Sequence, residues 1–206
     1  MTENEGVGAS MGSQSEDRRE QGKVAEGSLA RLAKGPAAKY VGFALLLAWH
    51  YALWFVPHAF VQTELLDERV TVSWLLNLGA TVLFLFLIAL LLGRKRHLSS
   101  YPWLAWAAPA LTTAATLTLC LAPFSFTAPG VAYALSFFLG ATEAVMWILW
   151  GERYACVKAN FSIKHIGTVF GFTLLACVGT TLLLPPVAAT AFVALLPLAS
   201  GGLLVL

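Results

Sequence analysis

VAYALSFFLGATEAVMWILWGERYA, residues 131–155, decides the fold. A helix of roughly twenty consecutive apolar residues is long enough to cross a bilayer, and this run has that length. One carboxylate, Glu143, interrupts it, and the polar knot Trp150-Gly151-Glu152-Arg153-Tyr154 closes it. Steps of four, three, four and three residues place Ser136, Gly140, Glu143, Trp147 and Trp150 on one helical face. Small and aromatic groups around an acid mark a face turned to a protein interior and not to lipid.

Moving outward, the segment before this span, Pro123 to Gly130, has no charge, whereas Glu152 to Ile166 holds Arg153, Lys158, Lys164 and His165. The neighbouring spans fall at 103–122 and 167–184. The first of these opens with Trp103 and Trp106 and carries Pro109, Thr113, Thr116 and Cys120 along one side; the other begins with Gly167-Thr168-Val169-Phe170-Gly171. That GxxxG spacing lets two helix backbones approach, within the chain or between two copies. Further spans are expected at 70–92, ending at the basic cluster Gly93-Arg94-Lys95-Arg96-His97, and at 187–206, after the turn Pro185-Pro186 and with Pro197 near its middle. The first span, 40–60, has His50, Trp54 and His58 on one face and Pro57 late in it, where a proline bends the last turn. The span at 70–92 offers Ser73, Asn77 and Thr81 at four-residue steps, a polar seam for interhelical hydrogen bonds.

Composition agrees with six spans. Of the 206 residues 58% are hydrophobic and only 12% charged, with a mean hydropathy of +0.74. Soluble domains carry about a quarter charged residues, so the chain reads as an all-α, multi-pass membrane protein. Residues 1–39, rich in Gly, Ser, Glu and Gln, have too few large apolar side chains to build a core and read as a disordered cytoplasmic tail, with no cleavable leader. All Lys and Arg except Arg69 lie in this tail or in the loops after the second and fourth spans. Basic loops stay inside, so the amino terminus is expected in the cytosol of a cell membrane, with Glu64, Asp67 and Glu68 outside. The last span ends at Leu206 with no polar flank, the pattern of a chain that continues.

Glu143 is the one acid inside a span, and an ionised carboxylate near the bilayer centre costs about 2.5–3.5 kcal/mol on the insertion scale. His50 is expected at the same depth, counted at roughly 1.5 Å per residue from the helix ends. Asn77 sits about one turn nearer the outer face. His50, Asn77, Glu143, Trp54 and Trp147 are therefore the candidate intramembrane polar or ligand site, against the plainer alternative of a neutral Glu143 bonded to a neighbouring helix. The three cysteines, Cys120, Cys156 and Cys177, share no ligand spacing and read as packing residues. No phosphate loop, no metalloprotease helix, no nucleophile elbow and no cluster of acids is present, so the expectation is no enzyme, no cofactor and no metal.

The string Trp150-Gly151-Glu152-Arg153-Tyr154-Ala155, with a short basic loop after it and Leu195-Leu196-Pro197-Leu198-Ala199-Ser200 in the last span, resembles the membrane half of a LuxR-type helix-turn-helix regulator family of anaerobic actinobacteria. Phe55-Val56-Pro57 adds to it. Within that string Trp150, Gly151, Glu152, Tyr154 and Ala155 carry the family-like motif. The resemblance implies a bundle like half of a major-facilitator fold and a role as the membrane sensor of a transcriptional regulator. Gly93-Arg94-Lys95-Arg96 lacks the aspartate usual in transporters of that fold, and the chain has no helix-turn-helix, so it is not expected to bind DNA itself. The expected partners are the lipid bilayer, an unknown small-molecule ligand, and a second copy or a missing C-terminal half. The alternatives are a half-transporter that dimerises and couples movement to protons at Glu143, and an inert truncated membrane protein.

Overall fold

The computed structural model describes residues 36–56, 66–92, 97–121, 128–155 and 163–205. Contacts divide the chain into Met1–Ala38 and Lys39–Leu206, and the bundle is the second unit. The expected tail, His58, Pro57, the acids of the first loop, the cluster Arg94 to Arg96, Cys156 and Lys158 lie outside the described residues or their described side chains.

Every regular element among the described residues is helical: α1 Pro36–Phe55, α2 Leu66–Leu92, a 3-10 turn Leu98–Ser100, α3 Leu104–Leu121, α4 Pro129–Ala155, α5 Ile163–Leu183 and α6 Pro186–Val205. In α2 to α6 the apolar stretch is long enough to cross a membrane, and a shorter one, Tyr40–Phe55, lies in α1. Proline placement sets several boundaries. Pro129 and Pro186 occupy first-turn positions, where the missing N–H costs nothing.

The helix ends differ from the sequence reading in three places. The first helix stops at Phe55, short of the expected residue 60. Val56 precedes Pro57, and a residue before proline is pushed out of the helical region, which accounts for the non-helical Val56. The second helix begins at Leu66, so its backbone takes in residues 67–69, which the sequence reading had left in a loop. The fourth continues through the motif to Ala155, five residues past the expected end at Trp150.

The outer surface is unlike that of a water-soluble protein, since large apolar side chains cover it while the core beneath is also mostly apolar. On α2 Ser73, Asn77 and Thr81 face inward, with Asn77 fully buried, while Val82, Phe86 and Leu91 are 61%, 62% and 82% exposed. In water, that apolar surface would cost about 25 cal/mol per Å². Lipid removes the cost and leaves polar contacts and close packing to hold helices together. The chain is accordingly a multi-pass membrane protein.

Two close approaches fix the helix pairs. A Cβ on Gly140 of α4 would fall 2.7 Å from Ala80 Cβ and 2.9 Å from Thr81 N of α2, so only glycine admits this contact. Pro109 of α3 cannot donate to Ala105, and Gly201 of α6 packs against both that ring and that carbonyl. Nearby, Thr113 Oγ1 donates to Ala194 O at 2.7 Å, tying α3 to the stretch of α6 just before Pro197. By contrast, nothing lies within 4 Å of a Cβ built on Gly167 or Gly171. The GxxxG pair thus does not pack against the described part of its own chain.

Candidate functional site

Glu143 stands at the middle of α4 and is 2% exposed. Gly140, one turn earlier, is the reason α2 comes close enough to reach it. Thr81 Oγ1 lies 2.9 Å from Asn77 O, 3.2 Å from Gly140 O and 3.5 Å from Glu143 Oε2. A hydroxyl has one proton, and the shortest of these contacts is its best acceptor. Oε2 therefore retains free hydrogen-bonding capacity. The other carboxylate oxygen is better held: Trp147 Nε1, one turn along the same helix, donates to Glu143 Oε1 at 3.1 Å.

From α1, His50 Nδ1 comes to 2.9 Å from Glu143 Oε1. The ring is oriented so that this nitrogen makes no directed hydrogen bond. The contact is hence one of ion-pair distance without hydrogen-bond alignment. His50, Trp147, Thr81 and Glu143 thus bring three helices, α1, α2 and α4, to one point.

Asn77 and Trp54 are differently placed. The Asn77 side chain makes no hydrogen bond to the carboxylate; it is fully buried, and neither Nδ2 nor Oδ1 has a hydrogen-bond partner. Trp54 Nε1, Ser73 Oγ and Trp74 Nε1 are likewise buried without one. Trp54 follows His50 by one turn on α1, and Ser73 and Asn77 precede Thr81 on α2. The Phe55 and Trp74 rings, 5.5 Å apart, join the two helices there. Unmet donors and acceptors are therefore gathered on the side of Glu143 toward the start of α4. Buried polar groups are nearly always bonded to protein or to ordered water, so these four side chains make this end of the interior the candidate place for water or a small polar molecule.

The other side of Glu143 is closed by rings. Phe43 meets Trp147 edge-on at 5.1 Å and also contacts Trp150, Tyr154 and Phe170, and Tyr40 stacks on Tyr154 at 6.1 Å. Gly42 gives the Trp150 ring its place against α1.

The family-like motif makes structural joints. Trp150 Nε1 donates to Ser200 Oγ of α6 at 3.0 Å, and Arg153 donates to Leu204 O. Glu152 accepts the Leu98 and Ser99 backbone N–H groups, each at 2.7 Å, which fixes the turn between α2 and α3. Gly151 and Ala155 are exposed at the end of α4.

Sequence reasoning named Trp147 at the candidate site without its bond to the acid, and left Thr81 out of the site. The seam of α2 contained Thr81, and the four-residue step from Glu143 to Trp147 is a helical contact spacing, so both signals were present. Cys120 and Cys177 are free and buried. No family model, no curated protein and no solved structure matches the chain.

Proposed function

We propose that this bundle is the membrane-embedded sensor portion of a LuxR-type transcriptional regulator, binding a small polar molecule beside Glu143. The observation that carries the ligand site is the fully buried Asn77 amide, unbonded at both ends, next to a carboxylate in contact with His50. The regulator family rests on the motif at Trp150 to Ala155. The ligand enters from the end of the bundle where α4 begins, which positive-inside topology makes the outer face, and the amino terminus lies in the cytosol. Two bundle conformations of differing affinity for the ligand then transmit occupancy to a cytoplasmic DNA-binding partner.

A thermal-shift screen of the purified chain, using small ammonium-bearing and hydroxylated compounds as probes, tests the site. At least one compound is expected to raise the midpoint of the parent chain and to lose most of that effect in Asn77→Ala. Shifts unaffected by changing His50 and Glu143 together would remove the sensing site. The contact between carboxylate and imidazole also favours a second reading, a half-transporter that dimerises with Glu143 as its proton-coupling group. Proton-driven uptake in vesicles that survives Glu143→Gln would exclude it.

A further inference from the structure

A cavity lies away from Glu143, among the turn Leu98–Ser100, the start of α3 and the ends of α4 and α6. It encloses about 450 Å³, and its walls include Ser99, Tyr101, Trp106, Leu149, Glu152 and Arg153. One side is apolar and reaches lipid: Trp106 is 58% exposed, and Trp103 nearby is 62% exposed. Exposed tryptophans at a helix end belong at the level of lipid headgroups.

The charged side carries both signs. Glu152 accepts one backbone N–H on each oxygen and the Ser99 hydroxyl besides, which leaves the carboxylate a further lone pair and its negative charge. His97, 3.9 Å away, is largely exposed. Arg153 spends one of its N–H groups on Leu204 O and has no carboxylate partner among the described residues. Glu152 and Arg153 form no ion pair with each other. A cleft with an unpaired guanidinium, a carboxylate and an apolar wall open to lipid is complementary to an amphiphile bearing a cation and an anion in its headgroup. A purely anionic headgroup would satisfy Arg153 and be repelled by Glu152.

We infer that this cleft binds a phospholipid whose headgroup joins a phosphate to a primary ammonium, the phosphate on Arg153, the ammonium on Glu152, and the glycerol and upper chains along Trp106 and Leu149. A trimethylated ammonium has no N–H to donate to Glu152, so the site discriminates by hydrogen bonding as well as by charge.

Native mass spectrometry of the full chain released from detergent tests this, with phosphatidylethanolamine, phosphatidylcholine and phosphatidylglycerol of matched chains as probes. The ethanolamine lipid is expected to bind about fivefold or more tightly than either other lipid, the scale of one charge-assisted hydrogen bond. Arg153→Gln is expected to remove that preference, and Arg153→Lys to keep part of it. Equal binding of the three lipids by the unmodified chain, tighter binding of the glycerol lipid, or an Arg153→Gln variant with undiminished preference would each overturn the inference. Displacement of the lipid by water-soluble phosphoethanolamine at the lipid's own concentration would also overturn it, because the apolar wall would then contribute nothing.

Discussion

Glu143 sits where a charge is expensive, and its neighbours decide whether it can be tolerated. Trp147 donates to one oxygen, His50 stands 2.9 Å from the same oxygen, and Thr81 lies near the other. Interhelical polar contacts in membranes contribute about 0.6–2 kcal/mol. A double-mutant cycle of His50→Gln and Glu143→Gln, read as unfolding free energy in mixed micelles, is expected to give a coupling of about 0.5–2 kcal/mol. Additive effects would mean that the two side chains do not interact. Thr81→Val keeps the volume and removes the hydroxyl, with an expected loss of about 0.5–1.5 kcal/mol by the same assay; an unchanged midpoint would show that the hydroxyl holds nothing. Counting depth along two spans was enough to bring His50 and Glu143 together from sequence. The Asn77 side chain was expected to extend that network, and instead the Thr81 hydroxyl does so, because the shape of the α2 and α4 contact depends on Gly140, whose partner no single-chain pattern specifies.

At the scale of elements, glycines separate contacts that form from contacts that only look available. Gly140 touches α2 backbone, whereas Gly171 faces open space. Gly140→Ala is expected to cost about 1–3 kcal/mol, the usual penalty of overpacking. Gly171→Ala is expected to change stability by at most about 1 kcal/mol, in the stabilising direction, since alanine is the better helix former. Equal effects in the same unfolding assay would contradict the helix pairing. Sequence pattern put Gly140 on the inward face of its span and also offered the GxxxG pair, but it could not say which helix, if any, each would meet. The five later spans were legible as apolar runs. Helix ends were less so: Val56, next to Pro57, is not helical, although the span was read on to residue 60. The bonds from Glu152 to Leu98 and Ser99 join residues more than fifty apart, and periodicity carries no information at that range.

For the whole molecule, a membrane bundle presents an apolar outer face and keeps its buried polar side chains among apolar packing inside, with α2 showing both faces most clearly. Its inward seam carries Ser73, Asn77 and Thr81, and its outward face carries Val82, Phe86 and Leu91. Within the interior, aromatic rings pack on one side of Glu143, and the unbonded Asn77, Ser73 and Trp54 groups lie on the other. Single nitroxide labels placed along α2 in a reconstituted bilayer report this directly through collision with dissolved oxygen. High oxygen accessibility at 82, 86 and 91 with low accessibility at 73, 77 and 81 is the predicted result; comparable values at all six positions, or the reverse pattern, would contradict the account.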